Sequence, residues 1–466
     1  MNEITTKYMT VYDLYQTTEG YLAIDRDPET VPLGRIVTDS REVVEGDLFW
    51  ALRGMKHNGS RFAQHAFDQG ACGVVVDEPI DPPPGRWSLI VNHTLKALWQ
   101  WAAWKRRRFT GTMIAVTGSV GKTTTRQMIH TVLSSRFKGV VSPRNYNNQF
   151  GVPLSMMALE PDHNYAVMEL GASGPGEIGL LAGLCRPKIG VVTQVADAHL
   201  GGFGSRRGVA EAKAELLAAL PPDGNAVVVD TPWAHKVTER CIAPITWVGT
   251  NPQNKVTARD VSSQNGKLSF SVDEQTFEVP VWGEHHIGSA LAAIATGRLF
   301  GLGYQEIAEA MKLFEPVPMR CEVVELRSAT IINDTYNASP TAMRAALELL
   351  RDFDTEGHRI VVCGDMAELG DEAAELHYKF GNETVSLCGA DMVIACGEYA
   401  RAVVDGAHAA GMPGPRAIPC RTVDDAMPFL GQAIMPGDVV LVKGSRVMCM
   451  ERVVNALRSY PLRKSA

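Results

Sequence analysis

Short unbroken apolar runs, separated by stretches of helical character, recur through the middle of the chain. TMIAVTG (112–118), YAVMEL (165–170), IGVVTQV (189–195) and NAVVVD (225–230) are four of them. Apolar runs of this length suit strands buried on both faces. GVAEAKAELLAAL (208–220) precedes the last run and reads as a helix. Strand and helix in alternation predict a parallel sheet with helices on its faces. The period then changes: KLSFSVDEQTFEVPV (267–281) alternates polar and apolar residues behind the turn pair Asn265-Gly266. That predicts an antiparallel insert, because Asn-Gly suits a tight hairpin turn. A helix, GSALAAIATGRLFG (288–301), closes the region, and FEPVPMR (314–320) reads as a linker. RIVVCGDM (359–366), DMVIACG (391–397) and GDVVLVKGS (437–445) then resume the α/β rhythm, with PTAMRAALELLRDF (340–353) as a helix among them. Before all this, residues 1–108 look irregular and turn-rich, with DEPIDPPPGRW (77–87) as a Pro-rich break. The expectation is an α/β chain of three domains, 1–108, 109–318 and 319–466.

Composition narrows the function. The 466 residues are 45% hydrophobic and 21% charged, with a net charge of -7. This is an ordinary globular balance, and it lacks the basic footprint of a nucleic-acid binder. The nine cysteines include no C-x-x-C pair, so zinc-ribbon and thioredoxin-like readings have no support. Scattered thiols fit a reducing compartment. The opening MNEITTKYMTVYDLYQ shows no basic-then-apolar signal pattern, and no apolar run approaches the ~18 residues of a membrane span. A cytoplasmic protein without a membrane span is expected. The basic run KRRR (105–108) reads as a solvated linker face.

The chemistry concentrates in IAVTGSVGKTTTRQMIHTVL (114–133). The common phosphate loop is G-x-x-x-x-G-K-[ST]; here Gly118 and Gly121 stand closer together, followed by Lys122 and Thr123. A strand, a glycine turn and a helix starting at Lys122 suit an anion, because backbone N–H groups and the helix dipole point at it. Thr117, Gly118, Ser119, Val120, Gly121, Lys122, Thr123 and Thr124 are the candidate nucleotide-binding residues. A bare G-x-x-G would read as an empty strand–helix turn, but Gly-Lys-Thr-Thr in this context points to a nucleotide. Lys122 can reach terminal phosphates, and the Thr123 hydroxyl can ligate Mg²⁺.

TGSVGKTTT resembles the T-G-x-x-G-K-[ST] loop of the Mur ligase and folylpolyglutamate synthetase superfamily. Further segments carry the likeness: NYNNQFGVP (145–153), MELGASGPGEI (168–178), VADAHLGGFGS (195–205), EAKAEL (211–216), NDTYNASPTAM (333–343), VCGDMAELGDEAAELH (362–377), LVKGSR (441–446) and, in the first region, TDSREVVEGDLFWALRG (38–54). The resemblance covers nearly the whole chain. It implies a central P-loop-type parallel sheet with an antiparallel insert, a C-terminal Rossmann-like α/β domain and a small N-terminal α/β domain binding a UDP-sugar. It also implies the reaction. A substrate carboxylate takes the γ-phosphate of ATP to form an acyl phosphate, and an amine then displaces phosphate. Carboxylate and triphosphate repel each other, so Mg²⁺ is expected to screen and align them.

Site residues follow from the same resemblance. Thr123 and Glu169 are expected at Mg²⁺, His199 at a second metal, and Lys213 as a carbamylated lysine whose anionic oxygens suit Mg²⁺. Lys122, Glu169, His199 and Lys213 form the expected catalytic set. Arg320 and Asp334 are expected near the nucleotide. Ser40 and Arg41 look like UDP-sugar contacts, Asn147 and Asn148 would line the muropeptide path, and Tyr336, Asn337, Lys443 and Arg446 accompany the substrate. Where relatives commonly carry GxHNxxNALAA, this chain has GEHHIGSALAA, placing His286 and Ser289 at the adenine positions. DTYNASP favours the member that adds a dipeptide. The implied partners are therefore UDP-N-acetylmuramoyl-tripeptide and D-Ala-D-Ala, acting with a monomer. The alternatives are the preceding tripeptide-forming ligase, a folylpolyglutamate synthetase-like enzyme and a non-catalytic nucleotide-binding regulator.

Overall fold

The protein is described by a computed structural model covering residues 9–54, 58–196, 200–326 and 329–459. It divides into two compact units. The first joins residues 1–111 to 142–164, and the second joins 112–141 to 165–466.

The first unit is more regular than its sequence suggests. Five short strands, β1 (Tyr21–Ile24), β2 (Ile36–Val37), β3 (Leu48–Trp50), β4 (Gly73–Val76) and β5 (Trp87–Ile90), form one sheet in the order β1-β5-β4-β3-β2. Only β1 runs antiparallel to its neighbour. None is longer than four residues, so each is too short to show a period. The Pro-rich segment is the connection between β4 and β5. KRRR is not a linker but the last turn of the helix Thr94–Arg108, where basic side chains complement the dipole. Lys105 is buried and donates to Met157 O at 2.5 Å, and Trp99 Nε1 donates to Gln149 O at 2.8 Å. These bonds attach the segment 142–164 to this helix, and Leu154 and Met157 pack on its core.

The second unit holds two sheets. Strands β6 (Thr112–Thr117), β7 (Gly139–Val141), β8 (Tyr165–Glu169), β9 (Ile189–Val192), β10 (Asn225–Val229), β11 (Ile245–Gly249), β12 (Val256–Gln264), β13 (Lys267–Val272) and β14 (Gln275–Val279) lie in the order β14-β13-β12-β11-β10-β9-β6-β8-β7. From β7 to β12 all pairs are parallel, and β12-β13-β14 is the antiparallel insert. Asn265 and Gly266 both have positive φ, 51° and 75°, as a tight two-residue hairpin turn demands. The helices Lys122–Ser134 and Ile287–Leu299 share the large core under this sheet. The second sheet comprises β15 (Glu322–Glu325), β16 (Thr330–Asp334), β17 (Arg359–Gly364), β18 (Met392–Cys396), β19 (Ala417–Cys420) and β20 (Val439–Lys443), ordered β15-β16-β20-β17-β18-β19. It is parallel except for β15. β6, β8, β16 and β20 all end at residues expected in the site.

Candidate active site

β6 delivers the chain into the glycine turn and the helix Lys122–Ser134 takes it out. Gly118 has φ 151°, and a Cβ there would lie 1.9 Å from Thr193 Oγ1. Gly121 has φ 85° and precedes the helix as its cap, with no side-chain cap bond. The N-terminal N–H groups of that helix are thus left to other partners. The short loop is braced from the segment after β9. Ser119 N donates to Gln194 O at 2.7 Å, Ser119 Oγ donates to Ala196 O at 2.9 Å, and Thr193 Oγ1 donates to Val120 O at 2.6 Å. Thr117 Oγ1 donates to Leu170 O at 2.8 Å, tying the ends of β6 and β8 together.

Four charged side chains meet beyond these strand ends. Lys122 is half-buried and donates to Gly118 O at 2.7 Å and Ser119 O at 3.2 Å. Thr123 Oγ1 donates to Glu169 Oε2 at 2.9 Å and accepts from Arg320 Nη2 at 2.9 Å. Arg126 Nη1 lies 3.3 Å from the same Glu169 oxygen, and both side chains are buried. Arg320 also stacks over Tyr336, 4.2 Å from the ring centroid, and its buried Nε has no hydrogen-bond partner. Burial pushes the Lys122 pKa down, Glu169 opposes that shift, and Arg320 adds to it. Three cations around one carboxylate leave a surplus of positive charge.

Lys213 lies buried on the helix Arg206–Ala218. Burial above all, with the charge of Lys122 second, lowers its pKa to about 7. Its Nζ sits 5.2 Å from the centroid of the Phe203 ring. His199, expected at a second metal, lies outside the described residues.

His286 is buried and lines a cavity of about 150 Å³ together with Thr124, Trp282, Phe314, Arg320 and Cys321. Ser289 is placed differently: its Oγ accepts from Thr125 Oγ1 at 2.8 Å, bracing the helix Ile287–Leu299 against the helix Lys122–Ser134. Asp334 and Lys443 end the adjacent strands β16 and β20 side by side, and their side chains pair at 2.5 Å. Lys443 is the buried last residue of β20, and it also donates to Asn337 O at 3.0 Å. Arg446 is exposed and pairs with Glu451 at 2.8 Å.

In the first unit Ser40 is buried, while Arg41 is exposed and holds Asp39 at 2.6 Å. That contact pulls the Asp39 carboxyl down to about 2. Asn148 Oδ1 accepts from Phe150 N at 3.1 Å and Gly151 N at 2.9 Å, so its carbonyl starts the short helix Gly151–Ser155. Asn147 beside it is half-buried.

Sequence reasoning missed Arg126, Thr193 and Gln194. Arg126 carried a signal: it lies one helical turn beyond Thr123, on the same face. Thr193 and Gln194 follow an ordinary apolar strand and gave none.

The Mur ligase middle domain matches residues 116–297, and the Mur ligase glutamate ligase domain matches residues 319–446. The UDP-N-acetylmuramoyl-tripeptide–D-alanyl-D-alanine ligase of Bacillus subtilis (strain 168) is 34% identical over 459 residues, spanning 97% of this chain and 99% of that one. The crystal structure of MurF from Acinetobacter baumannii superposes with a TM-score of 0.86 at 30% identity, covering 97% of this chain and all of that one. MurF from Thermotoga maritima, solved in complex with ADP, matches with a TM-score of 0.77 at 28% identity, over 91% of this chain and 97% of that one. The chain belongs to the Mur ligase family, among the MurF ligases.

Proposed function

We propose that the protein joins D-alanyl-D-alanine to UDP-N-acetylmuramoyl-tripeptide at the cost of ATP, a cytoplasmic step in building the peptidoglycan precursor. The observation that carries the site is the gathering of Lys122, Arg126 and Arg320 around Thr123 and Glu169 at the uncapped N-terminus of a helix. Surplus positive charge and free N–H groups suit a polyphosphate. The ADP complex of the Thermotoga maritima relative supports the same ligand.

The donor set also suits Mg²⁺. Thr123 Oγ1 and Glu169 Oε2 are buried oxygens 2.9 Å apart, and hard oxygen ligands are what this ion prefers. Bound there, Mg²⁺ would screen the repulsion between the substrate carboxylate and the γ-phosphate. Arg320 takes one of the two acceptor lone pairs of Thr123, which leaves the other for the ion, and its partnerless Nε is a ready donor for a phosphate oxygen. Lys122 already points at carbonyls of its own loop and can exchange them for phosphate oxygens. Arg126 holds Glu169 in place. Lys213, with a pKa of about 7, is substantially neutral at physiological pH. A neutral amine can add CO₂ through a new N–C bond, giving up one N–H proton to solvent, and become a carbamate, an anionic oxygen donor. In the first unit, exposed Arg41 can exchange Asp39 for a diphosphate through its planar fork, and exposed Asn148 can offer its amide N–H groups to a substrate.

The test is phosphate release against a panel of UDP-muropeptides and amine acceptors. Turnover that requires both a UDP-muramoyl-tripeptide and D-Ala-D-Ala is expected. Preference for a free amino acid as acceptor would sink the reading in favour of the tripeptide-forming enzyme. Phosphate release indifferent to any acceptor would favour a nucleotide-binding regulator.

A further inference from the structure

Along the cavity that His286 lines is a side-chain group whose metal-binding chemistry the ligase reading does not use. His285 and His286 belong to the short turn Glu284–His286, which follows the antiparallel insert. Cys321 comes immediately after Arg320, where the chain enters the second sheet. Their ligand atoms all lie within 4.8 Å of one another. The two imidazole rings are 4.1 Å apart, and Cys321 Sγ is 3.7 Å from His285 Nε2.

We propose that His285, His286 and Cys321 bind a borderline transition-metal ion, zinc above all, at the wall of the cavity that His286 and Arg320 line. Zn–S and Zn–N bonds of about 2.3 and 2.0 Å at a tetrahedral angle put the two ligand atoms roughly 3.5 Å apart. The observed 3.7 Å is close to that spacing. The wider separations close with ring movements of about 1 Å, after which all three donors are within bonding reach. One thiolate and two imidazoles favour zinc or cobalt over magnesium, which prefers oxygen. The backbone supports this arrangement. Cys321 has φ 50°, in the left-handed region that a side chain with a Cβ rarely adopts. Its N–H is held there by Asp334 Oδ1 at 3.3 Å. A strained residue fixed by a buried carboxylate is over-determined, as residues at binding sites often are.

On binding, the Cys321 S–H bond breaks, its proton passes to solvent and the sulfur donates to the ion. Two electron pairs come from neutral imidazoles, and burial pushes the His286 pKa down, keeping that ring neutral. Burial raises the Cys321 thiol, and the Asp334 carboxylate adds to the rise. Asp334 favours a cation nearby, while Arg320 and Lys443 oppose it. Three protein ligands leave one position of a tetrahedron open. His286 and Cys321 line the cavity with Arg320, and His286 stands at an expected adenine position, so an ion there would obstruct the nucleotide. Zinc should therefore inhibit in competition with nucleotide, a consequence that rests on the proposed ligase function; the binding itself does not.

The experiment uses the full chain, stripped of metal by a chelator. Titration with Co²⁺ should give a thiolate-to-cobalt charge-transfer band, saturating near one equivalent and displaced by Zn²⁺. Cys321→Ser should lose the band yet unfold in urea as one cooperative transition close to the midpoint of the unsubstituted chain, which shows that it folds. His285→Ala should weaken cobalt binding by about tenfold or more, since loss of even an outer-shell partner costs that much. No band, a band undiminished in Cys321→Ser, or unchanged affinity in His285→Ala would overturn the site. Zinc that inhibits the unsubstituted chain and Cys321→Ser equally would overturn its link to the nucleotide cavity. Absence of ligase turnover with the cobalt band intact would instead fall on the proposed function.

Discussion

Two strand-end regions of the second unit treat a lysine in opposite ways. At the end of β6, Lys122 bonds to neutral carbonyls of its own loop. At the end of β20, Lys443 bonds to the Asp334 carboxylate on the neighbouring strand. A carbonyl does not cancel an ammonium charge, so Lys122 keeps its attraction for an incoming anion. Asp334 does cancel the charge of Lys443, so that pair fixes β16 against β20. The two sheets share a parallel architecture; the difference between binding and bracing lies in whether a carboxylate is bonded directly to the lysine.

The largest effect should come from Lys122→Ala. Loss of one preorganised charge at a phosphoryl-transfer site costs about 10²–10³-fold in turnover. Little change in the urea midpoint should accompany it, because burial already disfavours this ammonium. Near-normal turnover would break the comparison on its binding side. Asp334→Ala should do the reverse. An uncompensated buried lysine costs about 3–5 kcal/mol of stability, read as a lower urea midpoint before any loss specific to catalysis. An unchanged midpoint would show that Lys443 finds another partner.

Lys213 sharpens the contrast, as a buried lysine with a depressed pKa of about 7. Turnover at fixed bicarbonate should rise as pH passes upward through 7, and Lys213→Ala should lose most activity, with acetate restoring part of it. Near-normal turnover of Lys213→Ala would return it to a plain helix residue. Stability follows with a definite sign. Between pH 7 and the unfolded value of 10.5, the unfolded chain holds a proton that the folded chain lacks, so the Lys213 contribution to stability increases with pH across that window. Lys213→Met should flatten this slope in urea titrations. The smallest effect belongs to Arg446→Ala. Its ion pair with Glu451 is half exposed, and such pairs contribute about 0–1 kcal/mol. A large change in KM without a change in stability would instead mark Arg446 as a substrate contact.

The long buried strands of the second unit were legible because each is an apolar run bounded by glycine or polar residues. The glycine loop was legible because glycine, lysine and threonine at that spacing have few other uses. The sheet of the first unit was implied only by the family likeness and not legible in the residue pattern, because strands of two to four residues carry no measurable period and their partners lie far along the chain. Its claim on residues 142–164 was equally hidden, since it rests on Trp99 and Lys105 reaching the carbonyls of Gln149 and Met157.

By itself the sequence determined the chemistry available at the loop: which donors exist, at what spacing, and on which side of a strand–helix junction. Local backbone preference and local order suffice for that. Only the tertiary structure decided which charges remain available to a ligand. Asp334 and Lys443 are 109 positions apart and meet because β16 and β20 are neighbours in register. Arg320 is 197 positions from the Thr123 hydroxyl it holds. Electrostatic interaction falls with distance through space, and distance through space is set by strand order and helix packing, which no local stretch of chain encodes.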